Sequence, residues 1–190
     1  MKSVQSILHW KSASVSNVKT MTTLALLIAL YCVLQMVTIN LSTTLRVSFS
    51  FVALALSCAL YGFWPNAAFA LIADFIGYLV HPDGAYMPLF ALILVVKAWI
   101  YTCFFYGKDK VSVPRLLLGQ LCAVVVCNIL LNPLLLHWMY GMPYWVLVSS
   151  RLVKNALCYP IECLALYFAL KTVLNIYSRA KPAAATQIKA

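Results

Sequence analysis

Residues 145–177 read WVLVSSRLVKNALCYPIECLALYFALKTVLNIY, and this stretch sets the class of the whole chain. It is long and apolar enough to cross a bilayer, which takes roughly 17–25 residues. Yet Arg151, Lys154 and Glu162 are set inside it. A charge at the centre of a membrane helix costs about 2.5–3.5 kcal/mol on insertion scales. Such groups persist in a span where they pair with each other, line a polar interior or hold a ligand. Arg151 and Lys154 are three residues apart and share a helix face. Glu162 follows Arg151 by eleven residues, close to three turns, and returns to that face.

The same pattern holds outward from this stretch. The 190-residue chain is 64% hydrophobic and 9% charged, with a mean hydropathy of +0.92. Soluble domains carry about 25% charged residues, so a soluble protein is excluded. Six apolar segments fall at 21–40, 47–61, 66–80, 89–106, 116–136 and 145–177. Gly62 and Pro65 make the turn between the second and third, and Gly or Pro marks most other breaks. Residues 1–20 form a basic, retained N-terminal segment rather than a signal peptide, because a full-length apolar run follows. Residues 21–177 form the membrane domain, and 178–190 a basic tail.

Net charge is +10, and its distribution gives orientation rather than nucleic-acid binding. Lys2, Lys11 and Lys19 precede the first span, Lys108, Lys110 and Arg115 lie around the fourth loop, and Lys171, Arg179, Lys181 and Lys189 end the chain. With six spans these regions share one side, the cytoplasmic one by the positive-inside rule. The expected fold is an all-α membrane protein of six transmembrane helices with both termini inside.

The embedded charges then gather in the outer half. Lys97 lies eight residues after Leu89, about 12 Å down its helix. Asp74 lies in the outer half of the third span, Arg151 and Lys154 in that of the sixth, and Arg46 in the first outer loop. Basic groups outnumber acidic ones, which fits a pocket for an organic anion. The competing structural reading makes Asp74 pair with Lys97 and Glu162 with Lys154, fastening helices only. Trp99 points to a different face from Lys97, and most aromatics near the outer ends form an interfacial belt. Ala25 and Ala29 make a small-xxx-small pattern that favours close helix approach.

Catalysis and metal binding find little support. The seven cysteines are scattered singly without a C-x-x-C pair, and they read as small hydrophobes. The three histidines offer no ligand spacing, and H-E-x-x-H, paired aspartates and a Walker-type loop are missing from the sequence. No cofactor or metal is expected.

From about Met21 to Leu174 the chain resembles the substrate-binding (S) components of energy-coupling factor vitamin transporters, in particular the folate family. The resemblance rests on Leu45-Arg46-Val47-Ser48-Phe49-Ser50-Phe51, Leu60-Tyr61-Gly62, Asp74, His81-Pro82-Asp83-Gly84-Ala85-Tyr86, Arg151-Leu152-Val153-Lys154 and Pro160-Ile161-Glu162, in that order. It implies a vitamin site near the outer face, with folate or a related anionic vitamin as ligand. Arg46, Lys97, Arg151 and Lys154 would meet its carboxylates, and Asp74 or Glu162 would orient those cations or meet a polar ring edge. Ala25 and Ala29 resemble the motif by which such subunits dock on a coupling subunit. That subunit and two ATPases, on other chains of a prokaryotic cell membrane, would power uptake. Pantothenate or another water-soluble vitamin is the alternative ligand. A structural membrane subunit without a ligand and a self-sufficient secondary transporter are the alternative functions.

Overall fold

The structure is a computed structural model that describes residues 18–36, 39–40, 46–80, 87–107 and 112–187, with side chains omitted at Lys19, 39–40, 46–47, Val80 and 176–187. Six helical rods run through the described residues. They are α1 (Val18–Met36), α2 (Ser50–Tyr61), α3 (Phe63–Val80), α4 (Pro88–Phe105), α5 (Val113–Tyr140) and α6 (Tyr144–Gln187). Between α1 and α2, strands β1 (Ile39–Asn40) and β2 (Arg46–Val47) pair antiparallel, Ile39 with Val47 and Asn40 with Arg46. The apolar runs beginning at 21 and 47 therefore lose their inner edges to this hairpin.

Three helical stretches are long and apolar enough to cross a membrane: Pro88–Phe105, Val113–Tyr140 and Tyr144–Asn175. Shorter apolar helices cover Thr20–Met36, Ser50–Tyr61 and Phe63–Leu79. The outward faces carry large apolar side chains, with Trp138, Trp145 and Leu157 more than 70% exposed. Water would penalise so continuous an apolar surface, and lipid does not.

α2 is the centre of the bundle. With 12 residues it is about 18 Å long, short of a hydrocarbon core of about 30 Å. It need not face lipid, because Phe51, every residue from Ala53 to Ala59, and Tyr61 are buried by neighbouring helices. Alanines, Ser57 and Cys58 let those neighbours come close, and the Cys58 thiol lies 3.5 Å from the Ala98 carbonyl of α4. A short helix buried in a membrane protein must have its polar ends satisfied. At the start of α2, Ser48 Oγ accepts the Ser50 N–H at 3.2 Å and donates to Ser50 Oγ at 2.9 Å. At its end Gly62 turns the chain with φ 78°, a conformation that favours glycine. Fully buried Asn66 then donates from Nδ2 to the Ser57 carbonyl at 3.1 Å and to the Gly62 carbonyl, and accepts from the Ser57 hydroxyl. Pro65 falls in the first turn of α3, where proline is tolerated.

α4 begins with Pro88 at its first position and packs antiparallel to α5. Gly119 of α5 makes this approach possible, since a Cβ there would come within 3.1 Å of Phe104 and Phe105. Within α5, residues Val124–Leu131 widen into a π-helix, and the Asn132 N–H reaches back to the Cys127 carbonyl. Pro133 explains it: a proline ring collides with the carbonyl four residues back, and a wider turn makes room. Gly141, at φ 64°, closes α5 by donating to the His137 carbonyl at 3.0 Å. α6 then runs past Tyr177 to Gln187, through residues read from sequence as tail.

Candidate functional site

Besides the Ser57–Asn66 contact, two polar clusters lie inside this apolar bundle among the described residues. The larger joins α4, α5 and α6. The Lys97 ammonium lies 5.7 Å from the ring centre of Phe51 on α2 and 6.0 Å from that of Tyr101, one turn along its own helix. Aromatic faces stabilise a cation, more strongly when water is excluded. The fully buried Tyr101 hydroxyl donates to Gln120 Oε1 at 2.8 Å, and Gln120 Nε2 donates to Glu162 Oε2 at 2.8 Å. Glu162 in turn attracts Lys154, while Arg151 and Lys97 repel it. The result is a circuit from Lys97 through Tyr101, Gln120 and Glu162 to Lys154, with three cations around one carboxylate.

Each member is placed by its helix. Lys97 and Tyr101 are four residues apart and share a face, whereas Trp99 is 52% exposed on the other side. Arg151 and Lys154 are half-buried near the start of α6, and Glu162 is buried two turns deeper than Lys154. Gln120 is almost completely buried where α5 passes between Tyr101 and Glu162.

The second cluster joins α1, α2 and α3. Tyr31, buried against Phe69 in an edge-on contact of 6.0 Å, hydrogen-bonds Ser50 and feels the charge of Asp74. Gly77, one turn beyond Asp74, lies against the Gln35 side chain, where a Cβ would collide. The Tyr31–Asp74 cluster lies toward the β-hairpin end of the bundle, whereas Tyr101, four residues from the end of α4, and Gln120, seven residues into α5, carry the larger cluster toward the α4–α5 end. Phe51 stands between them.

Lys97 is thus brought to Arg151, Lys154 and Glu162, the last three of which share a face of α6 by their spacing. Glu162 does more than face Lys154, because it is tethered to Gln120. Asp74, which the competing structural reading pairs with Lys97, acts electrostatically on Tyr31. Arg46 falls in β2 opposite Asn40, and its side chain lies outside the described residues, as do 81–86 of the His81–Tyr86 segment. Ala25 and Ala29 are exposed on α1.

Sequence reading passed over Tyr31, Tyr101, Gln120 and Asn155. Gln120 and Asn155 carried a usable signal: an amide inside an apolar span needs a partner as a charge does. The tyrosines carried none, being indistinguishable there from core or interfacial aromatics.

The family model for the ECF transporter, substrate-specific component, matches residues 19–175. The folate transporter FolT of Clostridium novyi (strain NT) is 37% identical over 129 residues, covering 68% of this chain and 74% of that protein. FolT of Leuconostoc mesenteroides is 32% identical over 152 residues, covering 77% and 82%. A crystal structure of FolT bound with folic acid superposes with a TM-score of 0.73 at 30% identity, over 80% of this chain and 92% of that one. The chain belongs to the substrate-specific components of energy-coupling factor transporters.

Proposed function

We propose that this chain is the folate-binding component of an energy-coupling factor uptake system, with six membrane crossings and both termini cytoplasmic. The observation that carries the reading is the convergence of Lys97, Arg151 and Lys154, from two helices, around the single carboxylate of Glu162. Like charges held together away from water repel strongly, and a bound anion with two carboxylates relieves that repulsion. Folate carries such a pair on its glutamate. Lys97, Arg151 and Lys154, with Arg46 from the hairpin, hold them, and Glu162, fixed by Gln120, orients the cations. Asp74, beside Tyr31 and Ser50, suits the donor-rich edge of a pterin. The relative of known structure is described with folic acid, which has both ends.

By the positive-inside rule the basic termini and fourth loop face the cytoplasm of a bacterial cell, so Arg46, Asp74, Arg151 and Lys154 lie toward the outer face of its membrane. Ala25 and Ala29, exposed on α1, dock the coupling subunit. Energy comes from two ATPase subunits on other chains, so this chain is not itself an enzyme.

Labelled folate uptake in cells lacking their own folate transport tests the whole reading. With the coupling subunit and both ATPases the chain is expected to drive accumulation, and without them to bind folate but not accumulate it. Accumulation by the chain alone, driven by an ion gradient, would favour a self-sufficient transporter. Uptake of pantothenate and not folate would reassign the ligand.

A further inference from the structure

Asn155 lies at the middle of the inward face of α6, directly after Lys154, one turn from Arg151 and two turns from Glu162. It is only 4% exposed, and its Oδ1 has no hydrogen-bond partner among the described residues. Its buried counterparts behave otherwise: Ser57, Asn66, Gln120 and Glu162 all have partners. A buried amide oxygen left without a donor loses its hydration and gains nothing in return. A helix can place apolar residues on its inward face without that cost, and α6 does so at Leu147, Leu166 and Leu170. An acceptor kept in that state between two cations is suited to a donor that arrives with an anion.

We propose that Asn155 Oδ1 accepts a hydrogen bond from an N–H that the ligand carries beside a carboxylate, so that α6 recognises an N-acyl amino acid and not a bare anion. The inference rests on reading the site as a folate site. In folate that N–H is the amide joining the aminobenzoyl ring to glutamate, on the carbon that bears the α-carboxylate. Arg151 and Lys154 take the carboxylate, and Asn155, next in sequence to one and a turn from the other, takes the N–H beside it. The cations reward any dicarboxylate. Asn155 distinguishes an acylated glutamate from one whose nitrogen is replaced, because a site built around a hydrogen bond rejects a ligand that lacks the donor.

The test is a cycle of two ligands and two proteins, with equilibrium binding measured on the detergent-purified full chain. The ligands are folic acid and its ester analogue, in which oxygen replaces the glutamyl amide N–H. The wild-type chain is expected to prefer folic acid about tenfold, as one hydrogen bond of about 1.4 kcal/mol implies. Asn155→Leu is expected to bind folic acid about tenfold more weakly and to show no preference between the two. If Asn155→Leu does not fold, Asn155→Ala is read the same way. A variant that keeps the full preference, or a wild-type chain that shows none, overturns the proposal. Failure of the wild-type chain to bind folic acid at all overturns the folate reading and this proposal together. Wild-type binding with unaltered variant preference overturns this proposal alone.

Discussion

Replacing Lys97 with methionine is expected to weaken folate binding about a hundredfold while leaving the protein folded. Removing one partner of a buried, charge-assisted contact costs about 2–5 kcal/mol, and about 2.8 kcal/mol is a hundredfold. The substitution suits the surroundings. Methionine fills the space between Phe51 and Tyr101, whose rings now face the ammonium, and thioether sulfur packs well against aromatic edges. Without ligand, the loss of one of three mutually repelling cations should not destabilise the bundle. Affinity and stability therefore separate: equilibrium binding falls, and the unfolding temperature of the ligand-free chain is unchanged or higher. If Lys97 only fastened helices, the signs would reverse, with stability falling. Wild-type affinity in Lys97→Met would remove the residue from the site.

Gln120→Leu is expected to cost about 3 kcal/mol in stability, the largest effect expected of any change outside the cation cluster. The side chain joins three helices through two hydrogen bonds, accepting from Tyr101 and donating to Glu162. Leucine keeps the volume but leaves a buried hydroxyl and a buried carboxylate without that partner, and a bond to a charged group is worth about 1.5–3 kcal/mol. A second substitution identifies the cause. In Gln120→Leu with Glu162→Leu the carboxylate is gone, so the double variant should be more stable than the two separate losses sum to. Denaturation in detergent of the wild type, the two single variants and the double variant measures the coupling. Simple additivity would mean that Gln120 and Glu162 do not act as one unit.

How far the sequence could be read follows from what each residue type reports. Charges inside apolar runs are rare and costly, so Lys97, Arg151, Lys154 and Glu162 marked the cluster directly. The helix period then gave the shared face on α6. The six apolar runs and the glycine between α2 and α3 were legible for the same reason. The hairpin at Ile39–Val47 was not, because its strands are two residues each and their pairing depends on the turn between them. The π-helix in α5 was not read either, although Pro133 stands at its cause. That Asp74 acts on Tyr31 was not legible, because charge marks a buried carboxylate but helix rotation decides which residues it meets. Gln120 and Asn155 went unread because an uncharged amide lowers hydropathy too little to stand out in an apolar span.

Thermal unfolding of the detergent-purified full chain with folic acid, reduced folates, pantothenate and other water-soluble vitamins tests the central claim most directly. A ligand that binds only the folded state adds about 2.7 kcal/mol of apparent stability at a hundredfold excess over Kd. Folates are expected to raise the unfolding temperature in proportion to the logarithm of their concentration, and pantothenate to leave it unchanged. A folded chain that no folate stabilises would contradict the claim, and a shift with pantothenate alone would give the cation cluster to a different anion.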